Sequence, residues 1–160
     1  MKKMQAITKT VSARLRDDLS SVFVILGLKG ISREEVLSNM ASFVKQQGLV
    51  KEAPIPYDHF IKREKQGTTA IGNGIALPEA CWIKMSLPYA FILCRLNKPI
   101  NFNSLDGAPV RIILASLGRD KDDLARYKPM AKITRLLKSK KLKNKFLEAS
   151  SVEEINNLLE

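Results

Sequence analysis

Residues 63–80 read REKQGTTAIGNGIALPEA, and this glycine-rich stretch decides which folds the chain can adopt. A helical pattern ends at Gly67, and a short strand is predicted near Ile75–Leu77. The sequence GNG at 72–74 matches the start of a dinucleotide-binding fingerprint, but the third glycine is missing and a strand rather than a helix follows. The glycines therefore indicate a turn that needs positive φ angles, and they argue against a dinucleotide-binding fold.

Strands and helices alternate on both sides of this stretch. Apolar runs predict strands at Val22–Leu28, Tyr89–Leu96 and Val110–Leu117. Ser32 and Glu35 form a capping box that predicts the start of a helix, and Gly48 is its expected end. Capping signals and helical spacing predict further helices over Tyr57–Gln66, Asp122–Ser139, Leu142–Ala149 and Ser151–Leu159. The pair DG at 106–107 is a tight-turn signal that predicts at least one antiparallel pair of strands. The sequence therefore predicts an α/β fold, a single layered domain with a mixed β-sheet flanked by helices.

The composition excludes several classes of protein. With 160 residues, 45% of them hydrophobic, the chain has the size and apolar content of one domain. No apolar run approaches the roughly 18 residues that a membrane span needs. The single histidine, His59, and the two cysteines, Cys81 and Cys94, are too few for a multi-histidine zinc site or a disulfide framework. We therefore expect no metal, no cofactor, no membrane insertion and a cytoplasmic location.

The chain begins with a basic segment that differs from the rest. Residues 1–14 carry basic side chains without an apolar core region, so they do not match a secretory signal. We predict a loosely ordered basic leader over 1–14 and a domain over 15–160.

Arg63–Pro78 resembles the active-site segment of the enzyme IIA domain of the bacterial phosphotransferase system, in the fructose–mannitol branch that includes the nitrogen-regulatory form. Ser32–Val50 resembles the first helix of that family, and PINFNSLDGAPV at Pro99–Val110 resembles its strand–turn–strand unit. Tyr127–Leu137 and the following helices resemble its C-terminal part. The resemblance covers nearly the whole chain from about Leu15, and it implies the fold of that family.

The chain departs from the family at the residue after Pro78. The resemblance places the phosphoacceptor histidine there, and this chain has Glu79. Imidazole suits the acceptor role because it is neutral near pH 7 and forms a transferable bond from nitrogen to phosphorus. A second family histidine falls near Arg126, and His59 is expected to be an ordinary histidine remote from the site. We therefore expect no catalytic residue in this chain.

The resemblance also implies a pocket around Glu79. Arg63 is retained, and its planar fork of donors suits phosphate or carboxylate. We expect Arg63 to lie within about 4 Å of Glu79, the limit for a salt bridge. Cys81 is expected to be a small buried residue. The predicted pocket consists of Arg63, Thr68, Thr69, Asn73, Glu79 and Arg126.

The net charge of +11 is concentrated in one segment. Nine basic residues and no acidic ones lie between Arg126 and Lys145, which leaves 18 basic against 16 acidic residues elsewhere. The segment reads either as the solvated face of amphipathic helices or as a docking patch for an acidic protein or nucleic acid. The candidate partner-binding residues are Lys138, Lys140, Lys141, Lys143 and Lys145.

Three functions are compatible with the sequence. The first is a degenerate enzyme IIA-like protein that cannot carry phosphohistidine and acts as a regulatory or protein-interaction module. The second is a functional phosphoryl-transfer component of the phosphoenolpyruvate-dependent sugar phosphotransferase system, using Glu79 or another acceptor. The third is a basic protein associated with nucleic acid. Protein partners are expected for the first two, including phosphotransferase-system or regulatory proteins.

Overall fold

The computed structural model describes residues 10–119 and 124–160, which form one mixed β-sheet with helices packed on both faces. The strands are β1 (Val11–Arg14), β2 (Val22–Leu28), β3 (Ala70–Gly72), β4 (Ile75–Ala76), β5 (Glu79–Cys81), β6 (Tyr89–Ile100) and β7 (Val110–Gly118). The helices are α1 (Arg33–Gln46), α2 (Pro54–Lys65), α3 (Tyr127–Lys138), α4 (Lys140–Glu148) and α5 (Val152–Leu159). Short 3₁₀ turns lie at Asp17–Leu19 and Leu124–Arg126. None of the described helices has the length and apolarity needed to cross a membrane.

The sheet combines parallel and antiparallel pairs, as the sequence predicts. Its strand order is β1-β2-β6-β7-β4-β3, and β5 also pairs with β7. β2 pairs with β6 in parallel, and β4 and β5 run parallel to β7. The pairs β1–β2, β3–β4 and β6–β7 are antiparallel. The predicted α/β class with a mixed sheet is therefore confirmed.

Alternating side chains on the central strands build two separate cores. On β2, Phe23 and Ile25 contribute to the core beneath α1 and α2. Val22, Val24 and Leu26 of the same strand contribute to the core beneath the C-terminal helices. Because successive side chains of a strand point to opposite faces, an unbroken apolar run satisfies both cores at once. Strand β2 is therefore apolar throughout.

The helix starts predicted at Ser32 and Ser151 are confirmed by their caps. The Ser32 hydroxyl accepts a hydrogen bond from the Glu35 N–H (3.1 Å), and the Glu35 carboxylate accepts from the Ile31 N–H (3.2 Å). The Ser151 hydroxyl accepts from the Glu154 N–H (3.2 Å) in the same way at the start of α5. These bonds satisfy N–H groups that have no partner within the first turn of a helix.

Three of the strands were not predicted, and one of them moves the domain boundary. Val11–Arg14 forms β1, so the boundary predicted at residue 15 is wrong for this part of the leader; residues 1–9 lie outside the described residues. All four side chains of β1 are exposed, and the strand exists through its backbone pairing with β2. β3 and β5 are only three residues long. Neither an exposed edge strand nor a three-residue strand produces a hydrophobic period that a sequence can show.

Several predicted boundaries also differ from the structure, two of them by four residues or more. β6 continues past Leu96 to Ile100, with a register shift against β7 between Arg95 and Ile100. The helix predicted from Asp122 appears as α3 from Tyr127, preceded by the 3₁₀ turn; Asp122 lies outside the described residues.

Candidate functional site

Arg63 and Glu79 meet in a shallow open pocket between α2 and β5. The Arg63 Nε lies 3.9 Å from the Glu79 Oε2, and each side chain is 36% exposed. The pocket has a volume of about 330 Å³. The distance falls within the salt-bridge limit expected from the sequence spacing. The pair therefore places a carboxylate and a guanidinium side by side at a surface that a partner could reach.

The backbone around the pocket holds the two groups in place. Phe60 of α2 is fully buried and anchors the helix on the core. The Arg63 Nη1 donates to the Gly67 carbonyl (2.9 Å), which fixes the guanidinium across the end of α2. Glu79 begins β5, where it pairs in parallel register with Ser116 of β7. Helix and strand thus fix the guanidinium and the carboxylate from two separate parts of the chain.

His59 lies in this same pocket, so its expected isolation from the site is wrong. His59, Lys62, Arg63 and Gln66 all line the pocket. Their spacing of three, four and seven residues places them on one face of α2. That spacing is the signal that could have found His59, Lys62 and Gln66 in the sequence.

The imidazole of His59 has one nitrogen engaged by its own helix. Its Nδ1 lies 2.9 Å from the carbonyl oxygen of Ile55. A carbonyl can only accept, so Nδ1 carries the proton, and in the neutral ring Nε2 retains its lone pair. His59 is therefore held in one tautomer at the edge of the site.

The second wall of the pocket comes from the end of β5. Cys81 and Trp82 line it beside Glu79. Cys81 is half-buried rather than buried as expected. Trp82 is 66% exposed and has a φ of 63°, in the left-handed region that larger residues rarely adopt. A large aromatic surface is therefore available beside the charged pair, and sequence analysis did not assign Trp82 to the site.

The structure places the two threonines of the predicted pocket in supporting roles. The Thr69 side chain is buried, and both its N–H (3.2 Å) and its hydroxyl donate to the Glu64 carboxylate. The Thr68 hydroxyl donates to the Phe102 carbonyl (2.9 Å) and accepts from the Ala70 N–H (3.1 Å). The described lining of the Glu79 pocket includes neither threonine. Both instead position the strands that lead to Glu79.

Asn73 also lies away from the Glu79 pocket, in the turn between β3 and β4. Its N–H donates to the Asp106 carboxylate (2.9 Å), which accepts further hydrogen bonds from the Ser104 hydroxyl and the Ala108 N–H. These hydrogen bonds, the one from Asn73 first, lower the pKa of Asp106 below its ordinary value. The hydrogen bond between Asn73 and Asp106 therefore ties the nine-residue connection between β6 and β7 to the glycine-rich turn between β3 and β4.

Arg126, the last residue of the predicted pocket, is half-buried at the start of α3. The carbonyl of the preceding Ala125 accepts a hydrogen bond from the Tyr89 hydroxyl (3.1 Å), which ties this turn to β6. The expected role of Arg126 beside Glu79 stays a prediction.

The candidate partner-binding lysines separate into two groups on the folded surface. Lys138, Lys140 and Lys143 line a groove between the C-terminal helices and the β3–β4 hairpin. Lys145 lies elsewhere, beside Glu148 and Glu154, and Lys141 is exposed without lining the groove. The continuous basic run of the sequence is therefore not one continuous patch.

Metal-binding side chains do not cluster in the part of the chain that the structure describes. No group of three His, Cys, Asp or Glu residues suited to a metal ion occurs within residues 10–119 and 124–160. Cys94 is buried in β6, and burial raises the pKa of its thiol, so it is poorly suited to act as a thiolate ligand or nucleophile.

Solved structures share this arrangement of sheet and helices. Nitrogen regulatory protein IIA-Ntr from Neisseria meningitidis superimposes with a TM-score of 0.71 at 20% identity, covering 88% of this chain and 93% of that one. The IIA component in a complex of enzyme IIA for mannitol with phosphorylated enzyme IIB from Escherichia coli gives a TM-score of 0.68 at 20% identity, covering 85% and 92%. At these identities the likeness establishes the fold.

Sequence comparison extends the likeness to the level of the family. A nitrogen regulatory protein of Bradyrhizobium diazoefficiens is 28% identical over 136 residues, covering 85% of this chain and 88% of the relative. The model of the family described as phosphoenolpyruvate-dependent sugar phosphotransferase system, EIIA 2, matches residues 19–160. That match takes in the Arg63–Glu79 pocket, most of both cores and helices α1 to α5, and it shows that the chain belongs to the EIIA 2 family of the phosphotransferase system.

Proposed function

We propose that this chain is a regulatory, protein-interaction member of the EIIA 2 family that carries no transferable phosphoryl group. One observation carries the proposal: a carboxylate, Glu79, stands where the resemblance places the phosphoacceptor histidine, 3.9 Å from Arg63. The pocket keeps a charged pair and an exposed aromatic neighbour, Trp82, while the expected nucleophile is replaced. These features suit recognition by another protein better than group transfer.

A glutamate permanently supplies part of the negative charge and some of the acceptor oxygens that a phosphoryl group would supply. Its carboxylate has two acceptor oxygens, one of which lies 3.9 Å from the Arg63 Nε, while the Arg63 Nη1 donates to the Gly67 carbonyl. A phosphoryl group brings about −1.5 to −2 charges and three strong acceptors, so the mimicry by Glu79 is partial. The pocket would therefore present a fixed state to its partner instead of a switchable one.

The rival function, phosphoryl transfer, needs an acceptor in this pocket. A Glu79 carboxylate would have to form an acyl phosphate, which needs a different donor geometry from that of an imidazole. The His59 imidazole is the stronger candidate because it lines the pocket with its Nδ1 proton engaged by Ile55, which leaves Nε2 as the nucleophile. The experiment that tests the proposal must therefore include His59.

Incubation with labelled phosphoenolpyruvate, its phosphotransferase and the phosphocarrier protein should leave the wild-type chain unlabelled. The measurement is protein-bound label, compared with an authentic EIIA domain in the same reaction: acid-labile, base-stable label is the signature of phosphohistidine, and base-labile label is that of an acyl phosphate. Glu79→His tests whether the fold still receives phosphate when the acceptor is restored. Stable label at any residue of the pocket would overturn the proposal, and label that disappears in His59→Ala would assign acceptor function to His59.

Glu79→Gln should change the free energy of unfolding by only about 0–1 kcal/mol, because its ion pair is partly exposed and screened by water. Urea denaturation followed by circular dichroism measures this change. The same substitution should weaken any partner that binds the pocket, because it removes the fixed charge. Lys65→Gln, which alters an exposed residue of α2 that does not line the pocket, is the matched control. A stability loss above about 2 kcal/mol would show that the pair is structural and not a recognition feature.

Protein partners follow from the same proposal. The Escherichia coli mannitol IIA is named in a complex with a phosphorylated enzyme IIB, and the partner of this chain is proposed to be a protein of the same system or a regulatory protein. Purified candidates are compared for binding to the wild type, Glu79→Gln and Glu79→His. Equal affinity for all three would exclude the pocket as the contact surface.

A further inference from the structure

A second concave surface lies between the C-terminal helices and the β3–β4 hairpin. It is a groove of about 540 Å³ that shares no lining residue with the Glu79 pocket. Apolar side chains from the hairpin, from β7 and from α3 line it: Ile71, Ile75, Leu77, Leu114, Met130 and Leu137. Its size is that of a site that encloses a ligand or an inserted side-chain cluster.

One of these apolar side chains is exposed at the edge of the sheet. Ile71 is 54% exposed, although it sits in β3, the last strand of the sheet order. Ile75 and Leu114, by contrast, are 5% exposed and belong to the core beneath the C-terminal helices. The groove is therefore an apolar surface continuous with the core and open to solvent at Ile71.

Three lysines form the rim of this apolar floor. Lys138 ends α3, and Lys140 and Lys143 occupy the first turns of α4. The Ser139 hydroxyl accepts from the Leu142 N–H (3.2 Å) and caps α4, so the lysines on each side of it are held on a fixed turn. No acidic residue is among the described residues that line the groove. A ligand that complements this rim therefore carries a row of negative charges.

Apolar floor and cationic rim together narrow the class of ligand. Nucleic acid needs cations and, in single-stranded form, aromatic stacking surfaces, and no Phe, Tyr or Trp is among the described residues of the groove. Nucleic acid also gains nothing from a floor of aliphatic side chains. A protein segment with apolar side chains on one face and carboxylates beside them satisfies both the floor and the rim.

We propose that this groove binds an acidic amphipathic segment of a protein partner, with its apolar face on the floor at Ile71 and its carboxylates on Lys138, Lys140 and Lys143. The site is distinct from the Glu79 pocket and does not depend on whether that pocket carries phosphate. It gives the uneven charge of the chain a specific role, restricted to three of the nine basic residues between Arg126 and Lys145.

Fluorescence anisotropy with three labelled synthetic peptides of equal length tests the chemistry of the groove. One peptide places leucine on one helical face and glutamate beside it, the second replaces each glutamate with glutamine, and the third replaces each leucine with glutamine. The first peptide should bind at least about tenfold more tightly than either control, and its affinity should fall steeply with salt. Equal binding of all three would overturn the proposal.

Paired charge reversals on one helix locate the binding surface. Lys140→Glu with Lys143→Glu should weaken the acidic amphipathic peptide at least about tenfold, whereas Lys141→Glu with Lys145→Glu makes the same charge change outside the groove and should weaken it less than about threefold. Equal losses in the two variants would show general electrostatic attraction and overturn the site.

A third variant tests the apolar half of the site. Ile71→Ser removes an exposed side chain, so the melting temperature should hold while peptide affinity falls several-fold. Unchanged peptide affinity would show that the apolar face of the segment does not bind at Ile71, which would overturn the proposal. The chain could instead bind vesicles of phosphatidylglycerol and phosphatidylcholine, lose that binding in the Lys140→Glu, Lys143→Glu variant, and bind none of the peptides. That result would identify a lipid surface as the ligand and overturn the proposal. Glu79→Gln should leave peptide affinity unchanged, which keeps this result separate from the phosphate-labelling experiment.

Discussion

Replacing Arg95 with methionine should lower the free energy of unfolding by about 2–4 kcal/mol, because several buried carbonyl oxygens would lose their donor. Arg95 lies in β6 and is 6% exposed. Its Nη1 donates to the carbonyls of Phe146 (3.0 Å), Leu147 (3.1 Å) and Ala149 (2.6 Å) at the end of α4. The last carbonyls of a helix have no partner within the helix, and a cation there also interacts favourably with the helix dipole. The side chain therefore joins the C-terminal helices to the sheet.

Burial lowers the pKa of the Arg95 guanidinium, and the nearby Arg111 lowers it further. Holding such a cation in the interior costs free energy, which the three carbonyl bonds offset. Methionine retains the apolar length of arginine and removes both the charge and the donors, so the lost stability measures the hydrogen bonds from Arg95; the Phe146 carbonyl keeps a second one, from the Ala149 N–H (3.3 Å).

Arg111→Met is the matched control for this prediction. Arg111 is half-buried in the neighbouring strand β7, and its Nε donates to a single carbonyl, that of Leu96 (3.0 Å). We expect its replacement to cost about 1 kcal/mol or less. Urea denaturation with constant m-values measures both variants. A loss below about 1 kcal/mol for Arg95→Met would contradict its role at the end of α4.

Glu64→Ala should cost about 2–4 kcal/mol and should also disturb the Glu79 pocket. Glu64 is 5% exposed on α2, and its carboxylate accepts hydrogen bonds from the N–H and the hydroxyl of Thr69. The Thr69 carbonyl in turn accepts from the Leu77 N–H (2.9 Å), two residues before Glu79. Loss of the carboxylate leaves two buried donors unsatisfied at the base of the hairpin that leads to the site.

Two further variants separate the causes of that loss. Glu64→Gln keeps the volume and one acceptor oxygen, so it should recover part of the stability. Lys65→Ala removes an exposed neighbour on α2 and should stay within about 0.5 kcal/mol of the wild type. If Glu64→Ala were as mild as Lys65→Ala, the buried carboxylate would have no structural role.

Local physical signals in the sequence were sufficient for the central architecture. Val22–Leu28 is apolar throughout because both of its faces are buried, and this predicts a central strand without reference to any other residue. Ser32 and Ser151 mark helix starts because their hydroxyls accept from N–H groups three residues away. Such interactions form within one turn of a helix or along a single strand, so they can be predicted from the local sequence.

The candidate site was predictable only in part. Arg63 and Glu79 were identified through the resemblance, and the fold brings them to 3.9 Å. His59 and Lys62 were missed, although Lys62 and Arg63 follow His59 by three and four residues, a spacing that places them on the same face of α2 as His59. Thr69 carries the same polar signal as a site residue, and only its hydrogen bond to the buried Glu64 shows that it supports the hairpin.

The sequence alone was sufficient to predict the alternation of strands and helices and the helix caps, and through the resemblance it predicts that Glu79 stands at the position of the acceptor histidine. Only the folded structure shows that β1 is a strand, because its side chains are exposed and it is held by backbone pairing with β2. It also decided which lysines share a surface: Lys138, Lys140 and Lys143 border the groove, while Lys141 and Lys145 do not. The physical reason is the same in both cases: backbone pairing and the packing direction of a helix are set by contacts between elements, which the side-chain pattern of a single element does not show.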